Sequence, residues 1–112
     1  MLDPDIEAFV QRTFAESDRQ TVRELLAAAH THDGRAADPR LLRCALIASR
    51  GTLKGLRYQL DGLAHDYRDV IVEAEYIRKK GEWIQVRDLS RPFEVDAQPT
   101  VPADGPASRA RG

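Results

Sequence analysis

The chain has 112 residues, of which 42% are apolar and 31% charged, and its formal net charge is −1. That balance is too apolar for a fully disordered chain and gives no global attraction to nucleic acid or anionic lipid, while the length suits one domain with a modest core. The lone cysteine, Cys44, excludes an internal disulfide and reads as a small buried apolar group among Leu41, Leu42, Ala45 and Leu46.

In chain order, Asp3-Pro4 predicts a helix start, with Asp3 accepting from exposed backbone amides and Pro4 at the first helical position. Ile6, Phe9, Val10, Thr13 and Phe14 then form one apolar stripe. Ser17-Asp18-Arg19-Gln20 fits a capping box, and Val22, Leu25, Leu26 and Ala29 continue the stripe, so residues 4–31 are two helices or one kinked near Ser17. Thr31-His32-Asp33-Gly34 is the expected stop. Asp38-Pro39 repeats the start signal before a segment, 41–48, that is apolar on nearly every side and is the expected most-buried helix.

From Leu53 the apolar positions Leu53, Leu56, Leu60, Leu63, Tyr67, Val70, Ala74 and Ile77 alternate steps of three and four. Gly62 weakens a continuous helix and Asp66 can cap a fresh one, which predicts two helices, 53–65 and 67–80, meeting at a tight turn. Glu75 and Lys79 would form a supporting pair on the second, and Arg78-Lys79-Lys80-Gly81 would end it. Trp83, Ile84, Val86 and Leu89 then read as a short extended arm over 82–94, a brief strand included, with Trp83 and Phe93 clamping it to the helices. Residues 95–112 carry Pro99, Pro102, Gly105 and Pro106 with little that is large and apolar, the composition of a disordered tail. The expected architecture is all-α: a compact bundle of four to five short helices over 4–80, within a domain of 1–94.

Charge is unevenly placed. Residues 1–33 hold seven acids against three arginines, a net of −4, and residues 35–57 hold six cations against Asp38, a net of +5. The two regions can complement each other within the fold. The basic stretch also invites a nucleic-acid reading, with helix–turn–helix spacing around Gly51 and candidate contacts at Arg40, Arg43, Arg50, Lys54 and Arg57. Against it, Leu53, Leu56 and Leu60 commit one side of the second helix to a core, and phosphate contacts alone carry no sequence specificity.

Two groups of titratable residues are candidates for chemistry. His30 and His32, beside Asp33, are possible metal ligands, but residues two apart on a helix point about 200° apart, so both reach one ion only where the helix has unwound. Asp61, His65, Asp69 and Glu73 follow one another at intervals of four, and a histidine between carboxylates is a general base in form. A break at Asp66 would scatter that row, and the wet side of an amphipathic helix explains the same residues. Gly51-Thr52-Leu53-Lys54-Gly55 lacks the spacing of a phosphate-binding loop, and no nucleophile stands out. No cofactor is implied.

The reading that uses most of the sequence is a small helical protein that binds another protein, with a homodimer favoured because the 41–48 and 53–77 stretches offer more apolar surface than the remaining helices cover. Nucleic-acid binding is the alternative, and a small histidine/carboxylate enzyme the third. No signal-like segment or membrane-length apolar run is present, which makes the cytoplasm the expected compartment, and fourteen arginines against three lysines suit a GC-rich bacterial genome.

Overall fold

The computed structural model describes residues 2–93; the expected tail over 95–112 lies outside them. Four helices are followed by a two-stranded antiparallel hairpin: α1 (Pro4–Thr13), α2 (Glu16–Ala28), α3 (Pro39–Ala48), α4 (Leu53–Glu75), β1 (Tyr76–Lys79) and β2 (Glu82–Gln85). The fold is therefore mostly helical with a small sheet, and not all-α.

Pro4 opens α1 as its sequence demands, yet the Asp3 side chain makes no cap hydrogen bond and turns to Arg43 instead, 3.2 Å away. The capping box at Ser17 is also absent. Phe14, buried at the end of α1, is extended, and α2 begins at Glu16 with Ala15 in the cap position and no side-chain cap. Helix α2 ends at Ala28, earlier than the Gly34 stop, because residues 29–37 form a small loop of their own. Thr31 donates to the Arg35 carbonyl at 2.9 Å, Ala37 to that of Ala29 at 3.0 Å, and Gly34 takes φ +83° at the tip.

Asp38 does cap α3, accepting from the Leu41 amide at 3.0 Å, and every residue from Leu41 to Ser49 is buried. This helix packs chiefly on α4, and its apolar side chains share one core with Ile6, Phe9, Val10, Phe14, Val22 and Leu26 from the first two helices and Leu56, Leu63, Val70 and Ala74 from α4. Arg50 and Gly51, both at positive φ, turn the chain into α4, whose first turn is capped by Thr52 accepting from Gly55 at 2.9 Å.

Helix α4 breaks where the sequence indicates. Asp66 is extended (φ −155°, ψ 98°), and its side chain accepts from the Arg68 amide at 3.1 Å. The chain doubles back about this residue: Gln59, seven before it, donates to Glu73, seven after it, at 3.1 Å. Gly62 gives room for the return, since a Cβ there would sit 3.1 Å from Val70 Cγ2.

The second arm of α4 stops at Glu75, not at residue 80. Lys80 (φ +53°) and Gly81 (φ +81°) form a two-residue turn between β1 and β2, with Ile77 opposite Ile84 and Arg78 opposite Trp83. Successive positive φ values match the twist of a tight hairpin, so the cationic run is strand and turn. Lys79 thus lies in a strand, and the expected Glu75–Lys79 helical pair does not form. The apolar side chains of the arm pack back at its end: Leu89 is buried and Phe93 stacks on Phe9 with ring centroids 4.5 Å apart. Trp83 is 56% exposed, with the Arg78 guanidinium over its ring at 5.6 Å.

Candidate functional site

The hairpin stands on a buried carboxylate. Glu75 has no exposed surface and accepts from both Nε and Nη2 of Arg40 at 2.9 and 2.7 Å, from Gln85 Nε2 at 3.0 Å and from the Leu89 amide at 3.2 Å. Its carbonyl receives the amides of Val86 at 2.7 Å and Arg87 at 3.3 Å, two residues against one, which is a bulge that ends the ladder. Burial alone would raise the Glu75 pKa, but the Arg40 pair and the Leu89 and Gln85 hydrogen bonds hold it below the ordinary carboxylate value. The neighbouring Cys44 thiol is pushed up to about 12, first by burial and then by the Glu75 charge.

A second ion cluster joins the two ends of the described chain. Arg43, 5% exposed, donates to Asp5 at 2.9 Å, to Asp3 at 3.2 Å and to the Leu89 carbonyl at 3.2 Å, while Asp5 also accepts from the Phe93 amide at 2.9 Å. The Asp5 pKa is lowered; burial opposes this, and the Arg43 and Phe93 hydrogen bonds overcome it.

These pairs redistribute the five cationic candidates. Arg43 is buried against Asp3 and Asp5, while Arg40, half-exposed, is paired with Glu75. Arg50, Lys54 and Arg57 remain exposed around the α3–α4 turn. Those three share one end of the helix pair, apart from Arg40 and Arg43.

The other candidates fall as follows. His30 lies in the loop after α2 and contacts the Ala28 carbonyl at 3.4 Å, while His32 stacks on Tyr67 at 6.3 Å. Among the described residues no group of three or more His, Cys, Asp or Glu side chains is placed to hold a metal ion. The Asp61–Glu73 row is split by the break at Asp66, but the doubling back sets both halves on one cleft of about 260 Å³, lined also by Tyr58 and Gln59. His65 accepts from or donates to no buried group: its Nδ1 lies 2.9 Å from the Asp61 carbonyl and 3.9 Å from the Asp61 carboxylate, with both side chains more than 70% exposed. Water screens the charges of such exposed groups.

What the helices leave uncovered is apolar and concentrated. The exposed large hydrophobic residues among those described are Tyr58, Ile77, Trp83, Ile84 and Val86, four of them on the hairpin and its exit. A groove of about 580 Å³ runs beside the hairpin between Val72 and Glu73 of α4 and Tyr76, Arg78 and Trp83. Sequence reasoning placed Ile77 in the helical seam and the arm carrying Trp83, Ile84 and Val86 against the helices; the signal that would have freed them was Lys80-Gly81 between two short β-prone runs. Among the described residues, no helix is long and apolar enough to cross a membrane. Compared with protein-family models, curated proteins and solved structures, the chain matches none.

Proposed function

We propose that this protein is a non-enzymatic protein-interaction module whose contact surface is the β1–β2 hairpin. One observation carries the reading: the core covers the apolar faces of α1, α2 and α3, while Ile77, Trp83, Ile84 and Val86 stay 42–56% exposed on one projecting element. Removing apolar surface from water contributes roughly 25 cal/mol per Å², and a partly exposed tryptophan flanked by aliphatic residues is the kind of anchor on which binding energy concentrates. The Glu75 carboxylate fixes the base of the hairpin, so the anchors are presented without ordering a loop at the moment of contact.

A photo-reactive side chain at position 86, compared with one at position 50, tests this in cells of the native host. Adducts with protein from position 86 and none from position 50 support the reading; absence of adducts from position 86 overturns it. A second reading is nucleic-acid binding by Arg50, Lys54 and Arg57, which are exposed at one end of the helix pair. Affinity for duplex DNA that falls steeply with salt supports it, and no retention at low salt ends it.

A further inference from the structure

The geometry points to a second copy of this chain as the partner of the hairpin, joined edge to edge through β2 about a two-fold axis at Ile84. This rests on the reading of the hairpin as the contact surface and specifies what it contacts. The backbone supplies the first argument. Val86 donates inward to the Glu75 carbonyl, so by the alternation of an antiparallel ladder Glu82 and Ile84 also point their amides inward, and Trp83 and Gln85 point theirs outward. Among the described residues neither outward amide has a backbone partner beyond the hairpin. The opposite edge is less open, because the Tyr76 amide already donates to Val72 in the last turn of α4.

Charge supplies the second argument. Edge strands are usually protected by lysine, proline or a bulge. β1 carries Arg78 and Lys79, which would be brought together if two β1 edges met, whereas β2 carries Glu82 alone, and the bulge lies beyond it at Val86 and Arg87. The unprotected edge is β2.

One symmetric register uses this edge fully. With Trp83 opposite Gln85 of the second copy, the two outward residues on each chain exchange their N–H and C=O groups, making four hydrogen bonds across the axis. Ile84 then meets Ile84 at a non-hydrogen-bonded position, where side chains approach most closely. Because Ile77 is the partner of Ile84 within each hairpin, the four isoleucines line one face of a four-stranded sheet. No charge faces a like charge: Glu82 lies opposite Val86 of the second copy. An isolated two-stranded hairpin is marginal in water, and four strands with a shared apolar row are not.

Sedimentation equilibrium on the full chain tests the pairing, with the single-chain mass at 12.6 kDa. The wild type is expected at twice that mass, and Ile84→Lys and Ile84→Glu each at the single-chain mass, with an equimolar mixture of the two restoring the doubled mass. Ile84→Cys should form an intermolecular disulfide under mild oxidation, and Trp83→Cys should not, since position 83 faces position 85; Cys44, being buried, does not compete. A wild type that stays at the single-chain mass up to about 1 mM overturns the proposal. So does a doubled mass that survives in Ile84→Lys, or a cross-link from position 83 and not 84. Those failures leave the broader reading standing or falling on the position-86 adducts alone.

Discussion

Glu75 shows how a charge can be fully buried and still favour folding. Five donors surround it from α3, β2 and the arm, and their sum outweighs the desolvation that opposes them. Its folded-state pKa lies below the ordinary 4.5, so its contribution is complete above that value and is lost as pH falls through the folded-state pKa. Glu75→Gln is expected to lower stability by about 3 kcal/mol at neutral pH, the range for breaking a buried pair, with a difference from wild type that narrows in acid. Urea unfolding across pH checks this, and a gap independent of pH contradicts it. Cys44 sits in the same network. With its thiol near 12, only roughly one molecule in ten thousand carries a thiolate at pH 8. Labelling by a thiol reagent should therefore follow the unfolding transition in urea, with no reaction in the folded baseline.

Among the elements, α3 was the most legible and the hairpin the least. A run of apolar residues after Asp38-Pro39 has only one reading, and the burial of all of 41–49 follows from it. The break at Asp66 could also be read from sequence, since aspartate competes for its own backbone and Gly62 precedes it. The tight turn expected there is present, and Gly62 leaves room for the returning helix, since a Cβ would lie 3.1 Å from Val70 Cγ2. The seam through Ile77 failed: three-and-four steps continue by chance past Glu75, where donors from the following arm hold the chain in extended form. The candidate cleft inherited that uncertainty, its residues being visible and their arrangement not. Gly55 gives a test at this scale. In a free helix alanine would stabilise, but a Cβ here would lie 2.0 Å from the Ser49 carbonyl oxygen. Gly55→Ala is expected to destabilise by about 2 kcal/mol in thermal or urea unfolding, the α3–α4 turn being forced apart.

Across the whole molecule, the acidic opening and basic middle of the sequence do meet, at Arg43 with Asp3 and Asp5. Among the described residues the exposed large apolar side chains gather around the hairpin, with Tyr58 on α4 apart from them, and hydrogen exchange should reflect that division. Amides within α3 are expected to exchange slowest, through global unfolding, and those of Trp83 and Gln85 fastest in dilute solution. Raising the protein concentration should slow the latter two while leaving the loop at 29–37 unchanged; equal protection at all concentrations would contradict an edge shared between copies.

The clasp on Arg43 also bears on how the molecule is made. Its carboxylate acceptors at positions 3 and 5 precede it in the chain, but its third acceptor, the Leu89 carbonyl, lies 46 residues downstream of it. The arm that supplies that carbonyl also brings the Gln85 and Leu89 donors to Glu75. A nascent chain halted at Gly81 would therefore hold two ionised groups with their coordination unfinished. Both charges find their full set of partners only once the stretch through Leu89 has been made.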